Sequence, residues 1–393
     1  MKKVLITTLG CKVNQYESAA FKAGFESHGL TVVSRNEPAD IVVVNTCAVT
    51  AGAGSQSRQS IRQGLRQNPA ARIIITGCYA EIAANELAQE EILQGRSYTV
   101  IGNSKKDDLV ASAITEAGTG GELILGAISE AKEICRLPLR RFGERARAYL
   151  RIQDGCESFC SYCIVPYTRG PSRSLPVEEV IEQAKIFADE GHHEIVLTGI
   201  HLGHYGKDLN KGNDFLSLLD KLSIATPKLR YRISSLEPLE ISDQLLSLMR
   251  ERSNIQPHLH VPLQSGHNDI LSRMNRRYTT EQFKEIIELC LERLPDAAIG
   301  IDILAGFPGE SKQHFKEALS FLDSITFTYL HVFPYSKRPG TKAAKFRDQI
   351  PKKVKEERVA ELRKLSDTRK KQFYVKQLDQ IRPVVVEGRR NKE

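Results

Sequence analysis

Gly155-Cys156-Glu157-Ser158-Phe159-Cys160-Ser161-Tyr162-Cys163 decides how the rest of the chain is read. Its cysteines follow a C-x3-C-x2-C spacing, so one short loop can turn three thiolates toward a single small object. Thiolate is a soft ligand that selects zinc, copper or iron–sulfur clusters. A structural zinc site wants a fourth protein ligand and usually shows C-x2-C or C-x4-C pairs. Three cysteines with no fourth nearby fit a [4Fe–4S] cube whose remaining iron is open to a chelating small molecule. A closed zinc knuckle and a chance cluster of buried cysteines are the alternatives.

Upstream, three apolar runs each end at a cysteine. Val4-Leu5-Ile6-Thr7-Thr8 leads to Cys11, Ile41-Val42-Val43-Val44 to Cys47, and Arg72-Ile73-Ile74-Ile75-Thr76 to Cys78. Helical patterns lie between them, for example 14–26 and 57–67, the latter stopped by Asn68-Pro69. Continuous apolar strands alternating with helices predict a parallel sheet covered on both faces. The C-terminal ends of such strands share one edge, where ligands bind. Cys11, Cys47 and Cys78 can therefore meet in space and hold a second cluster, although a lone buried cysteine is ordinarily a small hydrophobe.

Downstream, the strand–helix rhythm resumes at Ala146. Strands are expected at 148–152, 194–200, 229–235, 258–262, 298–304 and 329–333, with helices at 176–188, 215–222, 242–250, 280–294 and 311–322. About six βα units over ~190 residues are too few for an eight-stranded barrel of ~250 residues. A partial, open barrel follows. The fold class is α/β: a parallel N-terminal domain over 1–120, a glycine- and arginine-containing linker over 121–145, and a partial (β/α)6 barrel over 146–350. A basic helical extension covers 351–380, and a lone strand-like run lies within 381–393.

The 393 residues carry a net charge of +8. From residue 351 onward there are 14 Lys+Arg against 7 Asp+Glu, leaving 42 against 41 elsewhere. A basic end on a neutral body suggests a polyanion such as nucleic acid, or else a solvated helix face. No window offers 18 apolar residues, which argues against a membrane span. Eight sparse cysteines argue against a secreted disulfide framework and for a reducing, cytoplasmic setting.

Several longer strings can be set beside these patterns: residues 10–17 (GCKVNQYE), 45–50 (NTCAVT), 76–80 (TGCYA), 199–203 (GIHLG), 232–238 (RISSLEP), 260–266 (HVPLQSG) and 306–310 (GFPGE). With both cysteine sets, they resemble the radical-SAM methylthiotransferases from residue 1 to about 380. Within that family the nearest branch modifies N6-threonylcarbamoyladenosine in tRNA. The resemblance implies a cluster-binding N-terminal domain, a radical S-adenosylmethionine (SAM) domain and a C-terminal RNA-binding β-barrel called TRAM. Here 381–393 would be only a truncated or vestigial TRAM strand.

The resemblance further implies two [4Fe–4S] clusters. Cys156, Cys160 and Cys163 would ligate the one that binds SAM, and Cys11, Cys47 and Cys78 the one that carries the transferable sulfur. Thr198, Gly199 and Ile200 would contact the methionine part of SAM. Glu237, Gln264 and Ser265 would line its cavity, with Gly306, Phe307 and Pro308 along the adenine. Glu237 has a second reading, a structural carboxylate holding Arg232. No catalytic residue beyond the cluster ligands is implied.

The implied substrate is adenosine 37 beside a tRNA anticodon, methylthiolated at C2. Isopentenyladenosine, a ribosomal-protein aspartate, or a non-catalytic iron–sulfur RNA-binding role are the alternatives. The implied partners are the tRNA anticodon loop and an electron donor such as flavodoxin or ferredoxin, with no membrane or DNA partner. Arg169, Arg173, Lys337, Arg338 and the basic stretch 352–371 are candidates for phosphate contact, or plain surface charge.

Overall fold

Short β-branched strands alternating with helices put nearly every strand of this protein into parallel pairing. The computed structural model describes residues 1–115, 120–143 and 146–386. The N-terminal part runs β1 (Lys3–Thr8), α1 (Lys12–Ser27), β2 (Thr31–Val33), β3 (Ile41–Thr46), α2 (Ala51–Gln67), β4 (Arg72–Gly77), α3 (Cys78–Ala88), β5 (Tyr98–Ile101), α4 (Leu109–Ile114) and β6 (Gly121–Ile124). Its strands form one parallel sheet in the order β2-β1-β3-β4-β5-β6. The central β3 is buried at every position, as a strand covered by helices on both faces must be. Pairing of Thr8 with Asn45 and of Thr46 with Gly77 aligns the ends of β1, β3 and β4 at one edge.

β6 corrects the expected linker, whose first residues 121–124 instead extend the sheet by pairing with β5. Beyond it the chain packs against α1. Leu137, Leu139 and Phe142 are buried, and the Tyr16 hydroxyl donates to the Leu137 carbonyl at 2.9 Å.

The second part runs β7 (Arg147–Arg151), β8 (Gln153–Asp154), α5 (Val165–Arg169), β9 (Arg173–Ser174), α6 (Val177–Asp189), β10 (Glu194–Thr198), α7 (Phe215–Ala225), β11 (Arg230–Ile233), α8 (Asp243–Glu251), β12 (His258–Gln264), α9 (Asn268–Arg273), α10 (Thr280–Arg293), β13 (Ala298–Ala305), α11 (Lys312–Ser324) and β14 (Tyr329–Pro334). Two parallel three-stranded sheets, β11-β10-β7 and β12-β13-β14, are joined by bridges from Tyr231 to Ile255 and from Ser235 to His260. Helices cover the outside, packing Val180, Leu218, Leu246, Phe283 and Leu322 onto the strands in one apolar core.

α12 (Lys352–Lys376) lies back over β14, burying Val359, Leu362 and Ser366. The Ser366 hydroxyl accepts from the Leu330 amide at 2.9 Å. Residues 381–386 form no strand, so the expected TRAM strand finds no support there, and its remainder, 387–393, lies outside the described residues.

Candidate functional site

Three Gly-Cys pairs carry the site, and the same backbone device serves each. Gly10 and Gly77 both have φ +96°, and Gly155 has φ +79°, a region that only glycine enters without penalty. The turn lifts the following cysteine off its strand. At Gly77 the device is indispensable, because an added Cβ would lie 2.3 Å from the Thr46 carbonyl oxygen.

Cys11 precedes α1, Cys47 follows β3 and Cys78 opens α3, so all three stand at the aligned sheet edge. Their thiols interact electrostatically with one another, and Arg169 acts on them too. Asn14 ties the loops together: its amide donates to the carbonyls of Leu9 (2.7 Å) and Thr46 (3.0 Å). Its oxygen accepts from Arg169 at 2.7 Å. Asn45 donates to the Asn14 carbonyl (3.1 Å), Glu17 and Ser18, so both asparagines brace the cysteine loops from within.

Arg169 projects from the end of α5 into the N-terminal domain. It donates to Glu17 (2.7 Å), to Asp154 (3.0 Å) and to the Cys78 sulfur (3.4 Å), and it is fully buried. Burial alone would raise the Glu17 carboxyl, yet Arg169, Lys106 and Arg151 hold it well below the usual carboxylate range. Arg173 is buried as well and donates to the carbonyls of Pro171 and Arg169. Both residues are thus corrected from RNA phosphate contacts to internal struts. Lys337 is exposed, while Arg338 is buried near Tyr79, facing α2.

The central cysteine loop is held just as firmly. Gln153 accepts from the Ile200 and His201 amides (2.9 and 2.8 Å) and donates to the Gly155 carbonyl (2.7 Å), which locks two loops together. Asn275, at φ 60°, donates to the carbonyl of Phe159, and the Ser161 amide donates to the Met274 carbonyl. Arg276 donates to the Cys160 sulfur at 3.4 Å and pairs with Glu237. Glu237 therefore holds Arg276, while Arg232 pairs with Glu194 instead.

Cys156 meets His201 Nδ1 at 3.5 Å, and His201 Nε2 meets Glu240 at 2.6 Å. Although burial works against the Cys156 thiolate, His201 and Ser158 hold its thiol below the usual range. Burial alone would depress His201, but Cys156 and Glu240 outweigh it and lift the imidazole to about 9. Cys163 lacks such help, and burial pushes it up to about 12. The loop thus offers one thiol that is more acidic than usual and others that burial makes harder to ionise, all of which metal binding must hold deprotonated.

A cavity opens over this loop, lined by the three cysteines together with Ser158, Tyr162, Ile200, His201, Glu237, Gln264, Arg276 and Asp302, among others. Of the residues expected around SAM, Ile200, Glu237 and Gln264 reach it. Thr198 and Ser265 are buried at strand ends, and Gly199 packs on Gln153. Gly306, Phe307 and Pro308 are not brought to the cavity lining either. Phe307 is instead fully buried among Ile270, Met274, Tyr335 and Ala343, touching Tyr162 edge-on. His201, Gln153 and Arg276 were missed by the sequence reading. His201 stands inside the quoted 199–203 string, but nothing local marks Arg276, which acts across 116 positions.

The spacing of donors tests what these triads can hold. Among the described residues, three groups have donor atoms all within 4.8 Å of one another, and each is built of histidines and carboxylates. Neither cysteine triad is so tight. A single tetrahedral zinc, with sulfurs at about 2.3 Å, would draw them to about 3.8 Å apart. Three thiolates spread more widely suit a cube that takes each on a separate iron.

Residues 150–322 match the Radical SAM superfamily model, and residues 3–95 match the model described as Uncharacterized protein family UPF0004. The threonylcarbamoyladenosine tRNA methylthiotransferase MtaB of Aquifex aeolicus is 38% identical over 99% of this chain and 94% of its own length. The chain belongs to the radical-SAM methylthiotransferases. The MtaB of Bacillus subtilis is 39% identical over 98% of this chain and 85% of its own length. A tRNA-2-methylthio-N(6)-dimethylallyladenosine synthase from a Thermoanaerobacter species is 34% identical over 98% and 82%. Among solved structures, the radical SAM methyltransferase TsrM of Kitasatospora setae shares the fold, with TM-score 0.62 at 15% identity over 87% of this chain and 77% of that one. As a methylthiotransferase the chain is an enzyme, and within the matched Radical SAM region the loop of Cys156, Cys160 and Cys163 lines the cavity.

Proposed function

We propose that this methylthiotransferase converts N6-threonylcarbamoyladenosine at position 37 of tRNA to its 2-methylthio derivative. The observation that carries the reading is the link between the two cysteine sets: Arg169, on the helix that follows Cys163, donates to the Cys78 sulfur at 3.4 Å, and Ile164, next to Cys163, packs in the same apolar cluster as Cys78. A base placed between the two sets would meet both. Identity to the MtaB proteins of A. aeolicus and B. subtilis, 38% and 39%, exceeds the 34% shared with the dimethylallyladenosine synthase and favours the threonylcarbamoyl substrate.

Two [4Fe–4S] clusters and SAM, bound at these triads, would supply the radical that activates C2 and the sulfur and methyl group installed there. The chain's own residues do the rest. Cys156, Cys160 and Cys163 hold one cluster, with His201 and Arg276 directing N–H groups at two of the sulfurs. Cys11, Cys47 and Cys78 hold the other, with Arg169 and Asn14 placed beside it. Ile200, Glu237 and Gln264 are positioned to line the SAM cavity, and such outer contacts set ligand orientation and cluster potential. A small electron-transfer protein such as flavodoxin or ferredoxin would supply the reducing electron.

The test is an anaerobic reaction of cluster-reconstituted protein with SAM, reductant and tRNA, read by nucleoside mass spectrometry. A methylthio increase on threonylcarbamoyladenosine, and none on isopentenyladenosine, is the expected result. The reverse preference would replace the substrate, and no change on either nucleoside despite SAM cleavage would overturn the reading.

A further inference from the structure

One helix of the N-terminal domain carries charge of a single sign, unlike the basic C-terminal helix. α2 contains three arginines and no aspartate or glutamate in 17 residues. Arg58, Arg62 and Arg66 recur every four residues, which keeps them on one face at about 6 Å intervals. With Ser55, Gln59 and Gln63 they line a shallow groove. Arg35 adds to it by donating to Gln63. The opposing carboxylates are Glu90, which pairs with Arg62 at 2.7 Å, and Glu86, whose charge reaches Arg58. Arg66 is exposed at the far end.

The near end runs into the cysteine site. Thr50, which caps α2, is three residues past Cys47. Arg58 donates to the hydroxyl of Tyr79, the neighbour of Cys78, at 2.7 Å. At Gly54 the helix passes so close to Tyr79 and Arg338 that an added Cβ would lie 3.5 and 3.8 Å from them. The loop carrying Arg338 is pinned there, with the Ala51 amide donating to the Ser336 hydroxyl at 2.9 Å. Arg338 is 7% exposed, its Nε has no hydrogen-bond partner, and among the described residues no carboxylate pairs with it. A buried, unpaired guanidinium is costly unless an anion meets it.

We infer that the α2 arginines and Arg338 form a track for the ribose–phosphate backbone of the RNA whose base enters the cysteine site. Evenly spaced cations alternating with glutamine and serine donors match a chain of phosphates and sugar hydroxyls and carry no sequence information. Arg338 takes the innermost phosphate, and Arg66 the outermost. α12 is not this surface: it mixes Glu356, Glu357, Glu361 and Asp367 among its cations and turns one side into the core. The inference rests on the tRNA reading above and places its docking face on the N-terminal domain.

The experiment measures binding of an anticodon stem-loop RNA to the full, cluster-reconstituted chain across a salt series. Each phosphate contact contributes roughly 0.7–0.9 to the slope of log K against log salt. R62Q/R66Q is expected to lower that slope by about 1.5 and to weaken binding on the order of tenfold at low salt. R62K/R66K should restore both, and K370Q/K371Q on α12 should match wild type. SAM cleavage to 5′-deoxyadenosine should be equal in all of them. An unchanged slope in R62Q/R66Q, or failure of the lysine pair to restore it, overturns the track and leaves the tRNA reading standing. Absence of RNA binding by the wild-type chain at low salt overturns both.

Discussion

The Nε of Arg169 lies 3.4 Å from the sulfur of Cys78, while its Nη1 lies 2.7 Å from Glu17 and 3.0 Å from Asp154. One side chain therefore joins the helix α5, the helix α1 and a cysteine of the N-terminal triad. Replacing it with glutamine removes the cation shared by two buried carboxylates, leaving Lys106 and Arg151 on Glu17 and Arg151 and Arg173 on Asp154. Removing one partner of a buried ion network costs up to about 3–5 kcal/mol, and the remaining cations hold the loss below that figure. Arg169→Gln should show that loss in denaturant unfolding, together with a changed reduction potential for the cluster at Cys78. A potential identical to wild type would confine Arg169 to a structural role.

The two cysteine sets should separate the two halves of the reaction. Replacing Cys11, Cys47 and Cys78 together by alanine should remove about half the iron and abolish methylthiolation, yet leave SAM cleavage measurable. Replacing Cys156, Cys160 and Cys163 should also halve the iron and abolish both. These outcomes follow from one cluster per triad. Full iron content in either triple variant would show that the replaced triad is not a cluster site.

Much of this architecture is legible in the sequence because its signals are local. Ile41–Val44 reads as a buried parallel strand, and a Gly-Cys step marks the turn after its neighbours. β6 was hidden because it is an edge strand whose Gly121, Glu122 and Leu123 are exposed and carry no buried-strand pattern. Arg169 and Arg173 looked like surface charge because their partners Glu17, Asn14 and Glu133 lie 152, 155 and 40 positions away. The residues lining the cavity split for the same reason: Ile200 lies two residues past a strand end, whereas Arg276 is placed by packing of distant loops.

Gly77 offers a test of the turn that presents Cys78. Alanine there must adopt φ +96° and push its Cβ to within 2.3 Å of a backbone oxygen and 2.7 Å of Asn45 Oδ1. Strain of this kind costs about 1–3 kcal/mol before any clash is relieved. Gly77→Ala should lower the unfolding midpoint and the iron bound at the N-terminal triad, while Gly191→Ala, which also has positive φ but nothing within 4 Å, should keep full iron. Equal iron loss in both variants would mean that the close approach at Gly77 does not matter.

Stability should peak near neutral pH, for reasons of opposite sign on either side. Burial holds His258 down at about 3 and His204 at about 4. Unfolding returns both to about 6.5, so between those values the unfolded chain binds more protons and stability falls as pH drops below ~6.5. His201 runs the other way. Burial would depress it, but Cys156 and Glu240 lift it to about 9, so its contribution is complete below ~6.5 and is lost as pH rises through 9. His258→Gln removes an imidazole whose Nε2 meets the Tyr329 hydroxyl at 3.0 Å and whose Nδ1 has no partner. Denaturant unfolding from about pH 7.5 to about pH 5.5 should lose less stability in His258→Gln than in wild type, with the alkaline limb unchanged. An acid limb as steep as wild type would show that His258 is not held neutral by its surroundings.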